Sequence, residues 1–353
     1  MSRAPFRFAV AGCGNISQAH IESIRKMEDA RLVAVWSRTP QRAQAVAEKY
    51  GVEWEERLES LVSRDDVDGV IVCTPSGYHM EPALAAIEAG KHVVVEKPLE
   101  VTEERCLRIV EAAEAKGVKV GVIFQSRFAP ANQAARRALV EGRFGRIVMG
   151  DAYVKWYRPQ SYYDSGAWRG TWELDGGGAL MNQAIHAVDL LLWLMGPVER
   201  VYAYSDCLAH TGIEVEDTLV AVLRFSSGAM GVIQATTSVF PGYPKRIEVH
   251  GDKGGVVLVD DAVAEWYEGG KSELSAEMIE KYGPKELSGA ASDPMAISFD
   301  NHQRQLEDFV QAVREGRSPL VDGREGMRAV ELVRAIYRSA QTGEEVRLVC
   351  SEE

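Results

Sequence analysis

Short apolar runs alternate with amphipathic stretches through the first third of the chain. Five runs are rich in β-branched residues and almost continuously apolar, as strands buried on both faces are. They cover residues 6–11, 31–36, 69–73, 92–96 and 118–124. The segments 40–50, 80–89 and 102–116 repeat apolar positions every three or four residues and indicate helices. This alternation predicts a doubly wound parallel sheet.

From about residue 145 the pattern changes to runs joined by short turns, such as Ser226-Ser227-Gly228, which is typical of antiparallel hairpins. Predicted strands cover residues 146–156, 216–225, 229–239, 245–251 and 254–260. Helices are predicted at 182–196, 301–315 and 323–342. We expect a C-terminal α/β domain built on a large open, mostly antiparallel sheet. An open sheet face favours a homo-oligomer, either a dimer or a tetramer.

The length of 353 residues exceeds what one hydrophobic core usually supports, so two domains are expected. We place them at 1–124 and 125–353, with helices 301–342 packing back toward the first domain. The net charge of −12 argues against nucleic acid and anionic membranes as partners. Five scattered cysteines without a C-x-x-C pair indicate free thiols, and no leader segment is apparent. We therefore expect a cytoplasmic protein.

A glycine-rich turn follows the first predicted strand. It reads Gly12-Cys13-Gly14-Asn15-Ile16-Ser17, with Ser17 where a third glycine is usual. Glycine allows the tight turn and lets the backbone approach a pyrophosphate at a helix N-terminus. Because a strand precedes the turn and β-α alternation follows it, we predict a dinucleotide site that includes Gly12, Gly14, Asn15 and Ile16.

The end of the second predicted strand bears on the choice of cofactor. An acidic residue there meets the free ribose of NAD, and a basic one accommodates the 2′-phosphate of NADP. This chain has Ser37-Arg38 and no carboxylate. The pair favours NADP, unless Arg38 simply faces solvent, and both cofactors stay open.

Two more strands end in tripeptides at the carboxyl edge of the sheet, where open α/β sheets bind ligands. They are Cys73-Thr74-Pro75 and Glu96-Lys97-Pro98. A partly buried Lys97 beside a positively charged nicotinamide would have a lowered pKa, which suits proton exchange with a substrate hydroxyl. Hydride transfer itself is the chemistry of the cofactor and requires no metal.

The predicted helix 182–196 carries Asn182, His186 and Asp189 at spacings that place them on one face. Gly176-Gly177-Gly178, just before this helix, permits close backbone approach. Two interpretations remain for His186: a core histidine with a satisfied hydrogen bond, or a functional group.

Together these segments resemble the glucose-fructose oxidoreductase, inositol dehydrogenase and rhizopine-catabolism protein family, Gfo/Idh/MocA. The resemblance rests on the glycine turn, Thr74-Pro75 with His79, Glu96-Lys97-Pro98 and the GGG…H-x-x-D segment at 176–189. It implies an N-terminal Rossmann domain, Lys97 at the nicotinamide and substrate, His186 as acid/base, and His79 near the cofactor. Many members have aspartate where this chain has Asn182, so a Lys-Asp-His trio of the inositol dehydrogenase type is absent.

The segment Trp168-Arg169-Gly170-Thr171-Trp172, with the later Asn182-Gln183, is similar to members that oxidise the 3-hydroxyl of nucleotide-linked amino-sugar uronates. That similarity implies that Arg169 meets a carboxylate or phosphate and Gln183 a sugar hydroxyl. Gln125 and Trp168 complete the predicted substrate contacts.

The predicted function is hydride transfer between NAD or NADP and a hydroxyl-bearing carbon of a sugar, sugar acid, polyol or nucleotide sugar. Either Lys97 or His186 removes the hydroxyl proton. Two alternatives stay open: a non-catalytic NAD(P)/sugar sensor of the same fold, and reduction of an unsaturated ring compound.

Overall fold

The computed structural model describes residues 4–270, 272–284 and 299–348. The chain divides into two compact units. The first comprises residues 1–125 and 298–330, and the second comprises residues 126–297 and 331–353. Each unit therefore contains two separate stretches of the chain, and the first change of unit falls between Gln125 and Ser126.

The first unit is built on a six-stranded parallel sheet in the order β3-β2-β1-β4-β5-β6, as the doubly wound prediction requires. Its strands are β1 Phe6–Ala11, β2 Ala30–Trp36, β3 Glu53–Glu55, β4 Gly69–Val72, β5 His92–Val95 and β6 Val120–Val122. The central strands β1 and β4 are almost wholly buried, which explains their continuous hydrophobicity.

Five helices connect these strands, and local signals fix several of their ends. They are α1 Ser17–Lys26, α2 Pro40–Tyr50, α3 Leu58–Val62, α4 Met80–Glu88 and α5 Glu103–Lys116. Helix α2 begins with a proline in its first turn and ends at Gly51 in the left-handed conformation. Helix α5 is capped by Thr102, whose hydroxyl accepts the Arg105 N–H at 3.3 Å.

A C-terminal helix, α10 Asp300–Glu315, belongs to this first unit. Its Gln305 side chain accepts the Phe124 N–H at 3.1 Å and donates to the Val122 carbonyl at 2.7 Å. Phe309 packs against the β1 aromatic Phe6, with ring centroids 6.4 Å apart. Helix α10 therefore completes both the core and the hydrogen bonding beside β6.

The second unit contains an eight-stranded sheet in the order β13-β12-β11-β7-β10-β9-β8-β14. The strands are β7 Ile147–Lys155, β8 Val198–Asp206, β9 Thr218–Phe225, β10 Met230–Thr236, β11 Arg246–Gly251, β12 Gly254–Val259, β13 Ala262–Glu268 and β14 Val346–Arg347. All neighbours are antiparallel except β7 and β10, which are parallel. The predicted open, mostly antiparallel sheet is confirmed.

The remaining helices are α6 Pro130–Val140, α7 Gln160–Asp164, α8 Ile185–Met195, α9 Ser272–Tyr282 and α11 Gly323–Thr342. Helix α8 is preceded by a π-helical turn, Ala179–Ala184, where the sequence predicted one regular helix over 182–196. No helix in the described ranges is long and apolar enough to cross a membrane.

Candidate active site

The glycine turn of the first unit joins β1 to α1. Gly12 has φ +110°, and its N–H donates to the Trp36 carbonyl at 2.7 Å. A Cβ on Gly12 would lie 2.6 Å from the carbonyl carbon and oxygen of Cys73. The turn therefore packs directly against the end of β4, and only glycine fits at this position.

Gly14, two residues further on, has open space on the side where a Cβ would lie. A Cβ there would have no protein atom within 4 Å, and Asn15 beside it is exposed. Helix α1 begins at Ser17 without a side-chain cap on its first N–H groups. Open space beside uncapped amides fits a dinucleotide pyrophosphate, which such amides and the helix dipole bind.

Ser37 and Arg38 lie directly after β2, where an adenosine ribose would be read. Ser37 is buried, and its hydroxyl accepts the Thr39 N–H at 3.3 Å. Arg38 is exposed and stacks on the Tyr78 ring, with Cζ 3.9 Å from the ring centroid. Arg38 is therefore held by a cation–π contact.

His79 links the two motif segments at the ends of β4 and β5. One ring nitrogen lies 2.8 Å from the Thr74 carbonyl oxygen and the other 2.8 Å from that of Pro98. Thr74 in turn donates its hydroxyl to the Tyr78 carbonyl at 2.7 Å. These contacts bring the predicted cofactor residues of both strands together.

Glu96, the neighbour of Lys97 in sequence, is held by histidines that were not predicted to be functional. Its Oε1 lies 2.6 Å from His20 Nε2, and its Oε2 accepts the Lys97 N–H at 3.0 Å. His302 meets the His20 ring edge-on, at 5.5 Å between centroids. Burial raises the pKa of Glu96, but contacts with His20, His302 and Lys97 outweigh it and lower the pKa to about 2. An ionised carboxylate thus fixes the backbone of the half-buried Lys97.

Gln125 ends the first stretch of the first unit. The residue is half-buried, and its Oε1 is buried with no hydrogen-bond donor among the described residues. A buried acceptor without a donor is costly, so this atom fits contact with a ligand.

In the second unit, two residues from distant parts of the sequence hold the start of the π-helical turn. Glu216 Oε2 accepts the Gly178 N–H at 2.9 Å, and Oε1 accepts the Leu180 N–H at 2.8 Å. The Tyr337 hydroxyl donates to the same Oε1 at 2.9 Å and accepts the Met181 N–H at 3.2 Å. Together they act as a side-chain cap for this turn.

The crowding around this cap explains two glycines. A Cβ on Gly177 would lie 2.2 Å from the Tyr337 hydroxyl oxygen, and one on Gly178 would lie 1.8 Å from the Glu216 carbonyl oxygen.

Burial raises the pKa of the Glu216 carboxyl to about 7, although its hydrogen bonds favour the ionised form.

The π-helical turn presents Asn182 and Gln183 to a group of polar and aromatic side chains. Gln183 Oε1 accepts Nε and Nη2 of the buried Arg158 at 3.2 and 2.9 Å. Gln183 Nε2 donates to the Tyr162 hydroxyl at 2.8 Å and to Asn182 Oδ1 at 2.9 Å. Asn182 Nδ2 donates to the buried carboxylate of Asp175. The predicted substrate residues Asn182 and Gln183 therefore lie in one network.

Arg169 packs against two aromatic rings beside these polar side chains. Its Cζ is 4.2 Å from the Tyr162 ring centroid and 5.3 Å from that of Trp168. Nη1 donates to the Tyr162 carbonyl at 3.1 Å and to the Ser165 hydroxyl at 2.8 Å. Among the described residues no carboxylate pairs with Arg169, so its charge is available to an anion.

His186 and Trp193 are the only residues of α8 that are not buried. The sequence predicts Asn182, His186 and Asp189 on one face of a regular helix, and the structure departs from that helix at its start. Asn182 lies in the π-helical turn, where α-helical spacing does not apply. Asp189 is fully buried and receives a bidentate pair of hydrogen bonds from Arg127, at 2.9 and 2.7 Å.

Several residues that contact predicted site residues, or support the segments around them, are absent from the sequence predictions. They are His20, Tyr78, Arg158, Tyr162, Asp175, Glu216, His302 and Tyr337. Most contact their partners across 20 or more residues of sequence, and no local spacing reveals such a contact. A usable signal was Glu216-Asp217, an acidic pair at the start of the predicted strand 216–225.

Sequence comparison with known families gives two matches. The oxidoreductase family with an NAD-binding Rossmann fold matches residues 6–124, and the GFO/IDH/MocA C-terminal domain matches residues 132–257. The chain belongs to the Gfo/Idh/MocA family. Its Rossmann domain, its use of a nicotinamide cofactor and its oxidoreductase activity are thereby confirmed.

Relatives of this Gfo/Idh/MocA protein extend over nearly its whole length. A crystal structure of the WlbA dehydrogenase from Bordetella pertussis, in complex with NADH and UDP-GlcNAcA, is 37% identical. Its TM-score is 0.87, with 99% of this chain and 100% of that chain covered. The WlbA dehydrogenase from Chromobacterium violaceum, also in complex with NADH and UDP-GlcNAcA, is 35% identical with a TM-score of 0.87, covering 100% and 98%.

The D-glucoside 3-dehydrogenase of Escherichia coli strain K12 is 30% identical, covering 99% of each chain. These relatives are dehydrogenases of sugar-type compounds, which confirms the prediction of an enzyme over that of a non-catalytic sensor.

Proposed function

We propose that this enzyme oxidises a ring hydroxyl of an acidic, nucleotide-linked sugar, with Lys97 and His186 handling the hydroxyl proton. The observation that carries the proposal is Arg169. Its guanidinium has no carboxylate partner within the described residues and stacks on Tyr162, which hydrogen-bonds Gln183. Guanidinium groups recognise carboxylates and phosphates well, so this arrangement favours an anionic substrate. The two WlbA relatives with bound UDP-GlcNAcA support the same class of substrate.

The protein groups have separate parts in this mechanism. When bound, the nicotinamide ring accepts or returns the hydride. Lys97 hydrogen-bonds the hydroxyl that becomes a carbonyl, while Glu96 holds the Lys97 backbone through the N–H contact at 3.0 Å. His186 exchanges the hydroxyl proton, which contributes about 10²–10⁴-fold to the rate. Arg169 holds the anionic group of the substrate and so fixes the position of the ring.

The cofactor is NAD or NADP, and we propose that the enzyme accepts both. The relatives with NADH bound support NAD. The lack of a carboxylate after β2 and the exposed Arg38 support NADP as well. Replacing Arg38 with alanine is expected to raise KM for NADP by at least about tenfold and to change KM for NAD little. Equal changes in the two KM values would remove the support for NADP.

We also propose a homo-oligomer formed through the open face of the eight-stranded sheet. Large apolar side chains lie exposed on neighbouring strands of this face, including Met149, Tyr204, Val220, Val222 and Met230. Val220 lies opposite Tyr204, and Met230 lies opposite Met149, so exposed apolar side chains form cross-strand pairs on this face. Exposed apolar pairs of this kind favour burial against a second copy.

The main test measures absorbance at 340 nm with UDP-GlcNAcA, nucleotide sugars whose sugar ring is uncharged, free sugars and inositols. We expect turnover of the acidic nucleotide sugar, and its loss in Lys97→Met and His186→Ala. Arg169→Gln should raise KM for the acidic sugar, whereas Arg137→Gln, on the exposed face of α6, should leave it unchanged. Full turnover in both the Lys97 and His186 variants would refute these assignments.

A further inference from the structure

Four side chains of the second unit form one continuous chain of hydrogen bonds. Arg158 donates to Gln183 Oε1, Gln183 donates to Asn182 Oδ1, and Asn182 donates to Asp175 Oδ1. Both ends are buried: Arg158 is 2% exposed and Asp175 is 1% exposed. The chain therefore connects a buried cation to a buried anion through two neutral amides.

The two charged ends fix the orientation of both amides. A guanidinium can only donate hydrogen bonds and an ionised carboxylate can only accept them. Turning the Gln183 amide over would set its N–H groups against those of Arg158. Turning the Asn182 amide over would set its oxygen against the Asp175 carboxylate. Each link polarises the next in a site of low dielectric, so the chain acts as a unit.

Gln183 is fully used inside this chain. Its Oε1 accepts two N–H groups of Arg158, and its Nε2 donates to both the Tyr162 hydroxyl and Asn182. In this arrangement the Gln183 amide has no hydrogen-bonding capacity left for the predicted contact with a sugar hydroxyl. We therefore regard Gln183 as a residue that positions Asn182.

Asn182 is half-buried, whereas Asp175 is almost completely enclosed. The negative charge of the network thus lies on the enclosed Asp175 and not on the more exposed Asn182. The second oxygen of Asp175 accepts the Gly170 N–H at 2.9 Å, next to Arg169 in sequence, which keeps the carboxylate in place. The position four residues before His186 carries a neutral amide, Asn182.

From this geometry we propose that the neutral amide at position 182, which Asp175 and Gln183 hold in place, determines the preference for an acidic substrate. The inference rests on the proposed function, because it concerns the acidic group of the substrate. A carboxylate at position 182 would repel an anionic sugar, whereas the neutral amide does not. Asp175 acts through Asn182 and is a positioning residue.

The test moves the carboxylate from position 175 to position 182. The double variant Asp175→Asn/Asn182→Asp keeps one carboxylate and all the donors of the chain, but places the carboxylate at position 182. We compare kcat/KM for UDP-GlcNAcA with that for its neutral counterpart, which has a hydroxymethyl group in place of the carboxylate. The ratio should shift toward the neutral sugar by about tenfold or more, mainly through KM for the acidic sugar.

Two single variants serve as matched controls. Asp175→Asn removes the charge but leaves an amide at position 182, so it should not shift the ratio toward the neutral sugar. Asn182→Asp places two carboxylates side by side, so its melting temperature should fall below that of the wild type. The double variant again has one carboxylate, so its melting temperature should recover. A double variant with the wild-type ratio, or one no more stable than Asn182→Asp, would overturn the proposal.

The failure of this inference can be told from failure of the proposed function. If the wild-type enzyme turns over no acidic sugar, the proposed function is wrong and the specificity role of the amide at position 182 fails with it. If the wild type turns over the acidic sugar and the double variant keeps the same ratio, only the role of position 182 is wrong.

Discussion

The hydroxyl of Tyr337 donates a 2.9 Å hydrogen bond to Glu216 Oε1, a contact that spans 121 residues of sequence. The pair lies over the backbone of Gly177 and Gly178. It holds the π-helical turn that carries Asn182 and Gln183, and α8 with His186 follows that turn directly. The first two predictions concern this pair.

Replacing Tyr337 with phenylalanine should destabilise the protein. The change leaves Glu216 without one donor and the Met181 N–H without an acceptor, both in a buried site. We expect the free energy of unfolding to fall by about 1–3 kcal/mol, measured by urea denaturation. Tyr243→Phe, at an exposed position, is the control and should change it by less than about 0.5 kcal/mol. Equal effects in the two variants would contradict the role of the pair.

Glu216 should make the stability depend on pH in a defined direction. Burial raises its pKa from 4.5 to about 7, so between these values the folded state keeps a proton that the unfolded state has lost. The contribution of Glu216 to the free energy of unfolding therefore falls as pH rises, by about 1.4 kcal/mol per pH unit in this window.

The corresponding measurement compares urea denaturation at several pH values between 5 and 7. Glu216→Gln should lack this contribution, so its stability should fall less steeply with pH than that of the wild type. Glu265→Gln, at an exposed position, is the control. Parallel curves for the wild type and Glu216→Gln would show that the carboxyl does not titrate here.

The two glycines of the first turn should respond differently to alanine. Gly12→Ala forces φ +110° on a residue with a Cβ and a 2.6 Å contact with Cys73, so we expect a stability loss of about 1–3 kcal/mol. Gly14→Ala meets no protein atom within 4 Å, so its melting temperature should stay close to that of the wild type. Its affinity for NADH should nevertheless fall by at least about tenfold, because a methyl group would occupy space needed by the pyrophosphate.

Melting curves and a fluorescence titration with NADH separate these effects. If Gly14→Ala bound NADH as the wild type does, the pyrophosphate would have to bind elsewhere.

A charge on the open sheet face should weaken self-association. Val222 is exposed on β9 and lies opposite Tyr202 of β8. Val222→Glu should shift sedimentation velocity toward the monomer, because burying an unpaired carboxylate is unfavourable. Val140→Glu, on α6 and also exposed to solvent, should not shift it. A wild-type protein that sediments as a monomer at micromolar concentration would refute the oligomer.

The first unit was predicted well where chain-local signals decide the structure. Helix α2 begins and ends as predicted because Pro40 starts it and Gly51 takes a left-handed conformation. The central strands were found because both of their faces are buried. In contrast, β8 and β13 were missed. One side of each faces outward and carries charged residues, such as Glu199 and Glu265, which interrupt the apolar run.

The polar network could not be predicted for a different reason. Its members meet only after the chain has folded, since Arg158 lies 25 residues before Gln183. The same holds in the first unit, where His20 lies 76 residues before its partner Glu96. The π-helical turn depends on the cap from Glu216 and Tyr337, so the 182–196 pattern alone indicates a regular helix. Residue types identified the candidate residues, but the partners of those residues come from tertiary structure.

Helix α10 has a consequence for building chimeric enzymes. Gln305 and Phe309 complete the hydrogen bonding and core of a unit whose strands all lie before residue 125. A fragment cut after Gln125 would leave the edge of β6 uncovered and expose Phe6. Exchanging the cofactor specificity of this enzyme by recombination therefore needs three crossover points, with residues 298–330 transferred together with the N-terminal segment.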